Sequence, residues 1–272
     1  MSGRTAIAPA LAAALLLTAA ASAWGADELY EAQAIVTGQR EPERLRALPD
    51  CLEDVLVKVS GDSRLIRDRR LAPLKANAAE FVVSFRYDDH MAGIPVHDEQ
   101  GTRDRPYDFI VSFAPIKIDA ALRSLGLEPW KGPRPRLAMF VGVQNGPVPY
   151  VLTSDAERGL DQRLSLQAAA HKRGMPIVLP NSSVLAAAGV RFDRLSAIDL
   201  ERWRTLGTDA GGDSALVGAL FWIAQEFGWR ADWRLVWQGD HRWQIRGVTF
   251  DAAFRNAMEE SARIISGRGE PK

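Results

Sequence analysis

Cysteine is almost missing from this 272-residue sequence. Cys51 stands alone, which rules out a disulfide within the chain and a zinc site built on cysteines. Histidine is nearly as scarce: His90, His97, His171 and His241 are the full set, and none falls in an HExxH or HxH spacing. Neither sign of charge is in excess, with 34 basic and 34 acidic side chains. The basic surplus that neutralises a phosphate backbone is therefore lacking, and nucleic acid is excluded as a partner. There is no GxSxG, and Ser60, Ser84 and Ser112 lack the strained strand-to-helix turn of a hydrolase nucleophile. The glycine-rich stretch 207–214 has no lysine, carries Asp209 and Asp213 where phosphate would sit, and precedes a strand pattern. It reads as a turn. These absences leave no catalytic residue, no cofactor-binding residue, no metal ligand and no cofactor to assign.

What is present describes a folded, exported chain. Apolar residues make up 47% and charged residues 25%, enough apolar surface to offset the entropy of ordering. Residues 1–23 read as a signal peptide: Arg4, then an Ala/Leu run over 11–20 broken by Thr18, then Ala21-Ser22-Ala23 as the cleavage sequence. Cleavage after Ala23 starts the mature chain at Trp24, and cleavage after Gly25 is the alternative. The run falls short of the roughly 20 residues that a spanning helix needs, and no later stretch is apolar enough to span. A periplasmic protein without a membrane span is the expectation.

Periodicity divides the remainder into an N-terminal α+β domain (24–127), a linker (128–136), a C-terminal α/β domain (137–267) and a tail (268–272). Leu45, Leu48, Leu52, Val55, Leu56 and Val59 form one stripe of a helix over 42–59, with Pro42 in its first turn, Gly61 at its end and Pro49 kinking it. Cys51 sits at the edge of that stripe as a small core residue. A strand at 29–37 precedes the helix, and a second helical stretch holds Leu71, Leu74 and Ala78. Strands at 80–87 and 107–113 alternate, which points Phe81, Val83, Phe85, Phe109, Val111 and Phe113 toward a core. A helix over 116–125 closes the unit. Prolines 129, 133 and 135 mark the linker.

The second unit opens with a buried strand at 137–143, a helix at 154–173 and a short strand at 176–179, the β-α-β order of parallel strands with a crossover. A helix at 198–206 follows, then strands at 214–223, 229–237 and 243–248. The last two are joined by a turn at Gln238-Gly239-Asp240-His241. The terminal helix has Thr249 as its N-cap and an apolar face of Phe250, Phe254, Ala257, Met258 and Ile265. The fold class is α+β: an α+β unit, then an α/β unit with a mixed sheet and a terminal amphipathic helix.

Six of the eight tryptophans fall between Trp203 and Trp243. Trp229, Trp233 and Trp237 share one strand face, and Arg230, Asp232 and Arg234 share the other. The tryptophan face is either an aromatic platform for a glycan or peptide, or core beneath the terminal helix. In the second case the opposite face, with Arg230, Arg234, Arg242 and Arg246 against Asp232 and Asp240, is the surface that attracts an anionic partner. The same residues also suit an edge that discourages strand pairing. One acidic cluster, Asp88, Asp89 and His90 facing His97, Asp98 and Glu99 across a long loop, is either a divalent-cation site or a solvated loop tip.

Several blocks in fixed order carry a family likeness. They are Arg46-Ala47-Leu48 with Val55-Leu56-Val57-Lys58-Val59-Ser60-Gly61-Asp62, then Gly126-Leu127 with Trp130 and Arg134-Pro135. Arg173-Gly174-Met175-Pro176 and Ala215-Leu216-Val217-Gly218 before Trp229 and Trp233 complete the set. Together they resemble the proteobacterial exported family catalogued as domain of unknown function 2066, from which Pro49 and the strand 137–143 depart. The resemblance implies an exported protein of unassigned function and transfers no catalytic residue. At fold level the second half is similar to α/β modules of envelope assembly factors. The expected function is a non-enzymatic binding or assembly module of the bacterial envelope. Its partner would be an envelope protein or an anionic envelope glycan. The alternative is an envelope glycan-acting hydrolase using a carboxylate pair, from the acidic loop or from Asp232 and Asp240.

Overall fold

The computed structural model describes residues 28–89, 92, 93 and 105–269. It shows an α+β fold built on two sheets. The first sheet contains β1 (Glu31–Thr37), β2 (Val82–Asp89) and β3 (Pro106–Phe113), all antiparallel in the order β1-β3-β2. Helix α1 (Glu41–Ser60) lies on one face of it, with α2 (Leu71–Ala76) and α3 (Pro115–Ser124) beside it. The stripe read from the sequence is buried from Leu48 on, where Leu48, Leu52, Val55 and Leu56 meet Phe109, Val111 and Phe113, whereas Leu45 in the first turn is 46% exposed. Helix α1 continues through Pro49, and Gly61 ends it at φ 73°. A side chain at Gly61 would collide with Ser266, so this glycine answers both to a left-handed turn and to a close approach. Cys51 is buried in this core, and burial, with Asp54 nearby, pushes its thiol up to about 12. Such a thiol is unreactive.

The outer strand β2 departs from its expected face. Its register against β3 shifts between Val82 and Ser84, a bulge that changes which residues face the helix. Val83 is turned outward at 67% exposure. Phe85, opposite Val111, lies at the rim beneath the Arg44 guanidinium, 4.4 Å from its ring centre. Of the expected aromatic face, Phe109, Val111 and Phe113 are core and Phe81 packs against it, whereas Phe85 lies at its rim and Val83 faces away.

The second sheet contains β4 (Leu137–Gln144), β5 (Tyr150–Val151), β6 (Ile177–Val178), β7 (Ser214–Ile223), β8 (Gly228–Val236) and β9 (Asp240–Val248). The order is β5-β4-β7-β8-β9, with β6 also beside β4. β4 runs parallel to β6 and β7, and β7, β8 and β9 are antiparallel. Helices α4 (Leu160–Arg173) and α7 (Phe250–Ile265) cover one face. Helices α5 (Ser182–Ala188) and α6 (Leu200–Asp209) cover part of the other. With helices on both faces, Leu137 through Val143 are buried without alternation, as strands within two-sided sheets are. Helix α4 begins six residues later than its periodicity implies, after Gly159 in a left-handed conformation. The last hairpin turns tighter than expected, with Gln238 at φ 50° and Asp240 already in β9.

The proline-rich segment 128–136 has no helix or strand, yet it is fastened along its length. Trp130 donates its N–H to Val59 O at 2.7 Å, and Arg136 donates its N–H to Asp213 Oδ2 at 2.7 Å. Arg134 donates to Lys58 O at 2.6 Å and to Arg173 O and Gly174 O at 3.2 Å each. One guanidinium thus caps the carboxyl ends of α1 and α4 together, where the helix dipoles favour a cation. Arg173 itself bridges Asp54 of α1 at 3.0 Å and Glu259 of α7 at 2.7 Å.

Candidate functional site

The hairpin β8-β9 has two faces with different fates. On one, Trp229, Ala231, Trp233 and Leu235 meet α7, with Trp229 near Phe250 and Trp233 near Phe254. Trp233 is 2% exposed, and its ring occupies the space that a side chain on Gly218 would take in β7. Trp243 is also buried, and its Nε1 donates to Asn256 Oδ1 of α7 at 3.0 Å. Trp237 lies just past β8, half-buried against the same core. These tryptophans are therefore not an exposed aromatic platform. Trp229 and Trp233 pack beneath the terminal amphipathic helix, which takes the cover that an apolar sheet face requires, and Trp233 and Trp243 also border the groove on the other side of the hairpin.

The opposite face is covered only over β4 and the start of β7. Beyond that cover, residues 192–196 rise beside the hairpin and leave a groove of about 580 Å³. Its apolar side is formed by Phe192, Leu195, Val217 and Phe221, with Phe192 and Phe221 edge to face at 5.6 Å. Its polar side is formed by Asp232, Arg234, Arg242 and Gln244. The sequence reading places Arg234 and Arg242 here but misses Phe192 and Leu195, which come from an irregular segment. Phe221 was legible, since it shares strand parity with Val217 and Ala219.

The arginines are not an unbalanced positive field. Arg234 meets Asp240 at 2.7 Å and donates to Ile198 O at 2.8 Å, tying the lead-in of α6 to the hairpin. Arg242 shares Asp240 at 2.9 Å. Arg230 lies over the Phe221 ring and meets Asp232 at 3.3 Å, and Arg246 pairs with Glu226. Arg234 is a positioning side chain at 13% exposure, whereas Arg242 reaches into solvent at 62%. Burial works against the charge on Asp240, but hydrogen bonds from Arg234 and Arg242 outweigh it and hold the carboxyl below its ordinary range. A carboxylate so held is a poor proton donor. Asp232 accepts from Gln244 at 2.6 Å and lines the groove.

Of the acidic loop, His90, His97, Asp98 and Glu99 lie outside the described residues. Asp88 stands opposite Asp108, and Asp89 meets Arg105 at 3.4 Å. Among the described residues no group of three or more histidine, cysteine or acidic side chains is placed to hold a metal ion, and no helix is long and apolar enough to cross a membrane.

Residues 23–131 are similar to the family described as Domain of unknown function (DUF8605). The matched segment takes in β1 through α3 and stops inside the proline-rich strap. This match corrects the resemblance to domain of unknown function 2066, a different family; the blocks behind that likeness are core positions and helix caps, which unrelated α+β chains also require. No curated protein and no solved structure matches the chain.

Proposed function

We propose that this protein is an exported, periplasmic binding or assembly module of the bacterial envelope that receives its partner in the groove between residues 192–196 and the β8-β9 hairpin. The observation that carries the reading is the groove's composition: an aromatic and aliphatic side facing a row of hydrogen-bonding side chains, with solvent-reaching Arg242 at its rim. Binding sites combine apolar area with a few polar groups that fix orientation. Arginine and aromatic side chains are the residue types that carry most of the energy at protein contacts. Export rests on the residue pattern of positions 1–23. The partner that fits is a segment of an envelope protein or an anionic envelope glycan presenting a carboxylate or phosphate to Arg242.

A photocrosslinking side chain at Gln244, at the groove's rim, tests this in cells. The expected result is a discrete adduct in the periplasmic fraction, absent when the same group replaces exposed Glu201 on α6. No adduct from Gln244, together with turnover of an envelope glycan that depends on Asp232, would replace binding with hydrolysis.

A further inference from the structure

The edges of the two sheets are treated differently. β9, at the end of the second sheet, carries Asp240, Arg242 and Arg246, and β2 carries Arg86, Asp88, Asp89 and a bulge. Charges and bulges on outer strands prevent unwanted pairing. β5 and β6 are two residues long. β1 is the exception: its stretch Ala32-Gln33-Ala34-Ile35-Val36 has no charge, proline or bulge, and Ile35 is 64% exposed.

Two observations fix which backbone groups β1 turns outward. Gly38 donates its N–H to Arg105 O at 2.9 Å, continuing the register that sets Thr37 against Pro106. Hydrogen bonding alternates along an antiparallel pair, so residues 36, 34 and 32 also turn their N–H and C=O toward β3. Independently, Lys58 of α1 donates to Glu31 O at 2.7 Å, so that carbonyl points away from β3. The same parity gives Gln33 and Ile35 an outward N–H and C=O each.

These groups open into a cleft of about 510 Å³. Four consecutive residues of β1, 32–35, border it, so the cleft runs along the strand's edge, and Asp108 of β3, opposite Ile35, extends it onto the sheet. Across it stands one stripe of α4, formed by Gln167, Ala168, His171 and Lys172, with Ala168 the smallest, and Asp54 and Lys58 of α1 also line it. An open strand edge walled by a helix is the geometry in which a peptide adds as a further strand, with main-chain hydrogen bonds supplying affinity.

We infer that this cleft receives one extended peptide segment of a partner protein, which pairs through its backbone with Gln33 and Ile35 and lies between β1 and α4. Four bordering residues span roughly 13 Å, the length of about four strand residues. A second copy of the chain is not the occupant, because α4 stands where the other sheet of a β1-to-β1 dimer would lie. The ligand class is a β-branched-rich peptide without proline, small where its side chains face Ala32 and Ala34 and polar where they meet Asp54, Lys58, Asp108 and Lys172. This site is distinct from the hairpin groove and stands whether or not that groove is occupied.

The test is selection of linear peptides from a random display library on the purified protein, followed by binding of the synthetic peptides. Ile35→Pro removes one outward N–H while leaving the bonds to β3. Ala168→Phe fills the cleft from α4 without touching β1. Each substitution is expected to weaken the selected peptides by about tenfold or more, and bound peptide should slow amide exchange at Gln33 and Ile35 and not at Ala32 and Ala34. If Ile35→Pro unfolds the chain, Ala168→Phe and the exchange pattern decide. Failure to enrich any peptide, binding that survives Ala168→Phe, or a dimer abolished by Ile35→Pro would each overturn the inference.

Discussion

Gly218 shows how a single residue sets the architecture of the tryptophan face. It lies opposite Trp233 in the β7-β8 register, and the indole ring occupies the place of its missing side chain. Gly218→Ala should therefore push Trp233 against Phe254 and cost about 1–3 kcal/mol, the range for overpacked cores, read as a lower urea midpoint. Lys58 is a second such position. Burial is the main cause that lowers its pKa from 10.5 to about 8. Between those two values the unfolded chain holds the proton that the folded chain has released, so stability rises with pH through that window. The gain is on the order of 3 kcal/mol. Comparing urea unfolding at pH 7 and pH 10, the protein should gain stability that Lys58→Met does not. At this scale the sequence was partly legible. Strand parity separated Trp233 from Arg234, but nothing in it showed that Asp240 would neutralise Arg234 and Arg242 together, because that depends on where the hairpin turns.

Among elements, the strap of residues 128–136 matters most. Its prolines correctly excluded helix and strand, but they suggested a spacer, and the structure instead fastens it to both halves through Trp130 and Arg134. Hydrogen bonds from a charged group are worth about 1.5–3 kcal/mol each when a partner would be left buried. Arg134→Ala should destabilise the protein by about 2–4 kcal/mol and make Lys131 and Arg136 sensitive to trypsin, and Arg134→Lys should not restore it, because one ammonium cannot span three carbonyls on two helices. Long, strongly periodic elements such as α1, β7 and α7 could be read from the chain. Of the short ones, β6 and α2 were read but two were not: α5 has seven residues and is held by Asn181, whose side chain accepts from Val184 N–H, and β5 exists only as a partner to β4. The outward turn of Val83 has the same origin, since the bulge beside it is specified by tertiary pairing and not by local composition.

Across the whole molecule, the two sheets keep separate apolar cores, joined by polar ties: Arg134 on the ends of α1 and α4, Arg173 between Asp54 and Glu259, and Arg268 on Ser60 O and Glu128 O. These ties set α1 beside α4 at the cleft along β1, and Arg234 on Ile198 O holds the groove wall against the hairpin, the preorganisation that lets binding proceed without a large ordering cost. The central claim is that the groove binds a partner through Phe192 and Arg242 and is not a structural seam. The direct test is the yield of the Gln244 photoadduct in an Arg242→Ala protein, measured beside its urea midpoint. Arg242 is an exposed ion-pair member whose removal costs little, and Asp240 keeps Arg234. The account predicts that the adduct falls by about tenfold while the midpoint stays close to that of the unaltered protein. An undiminished adduct, or a loss that tracks a collapse in stability, would contradict it.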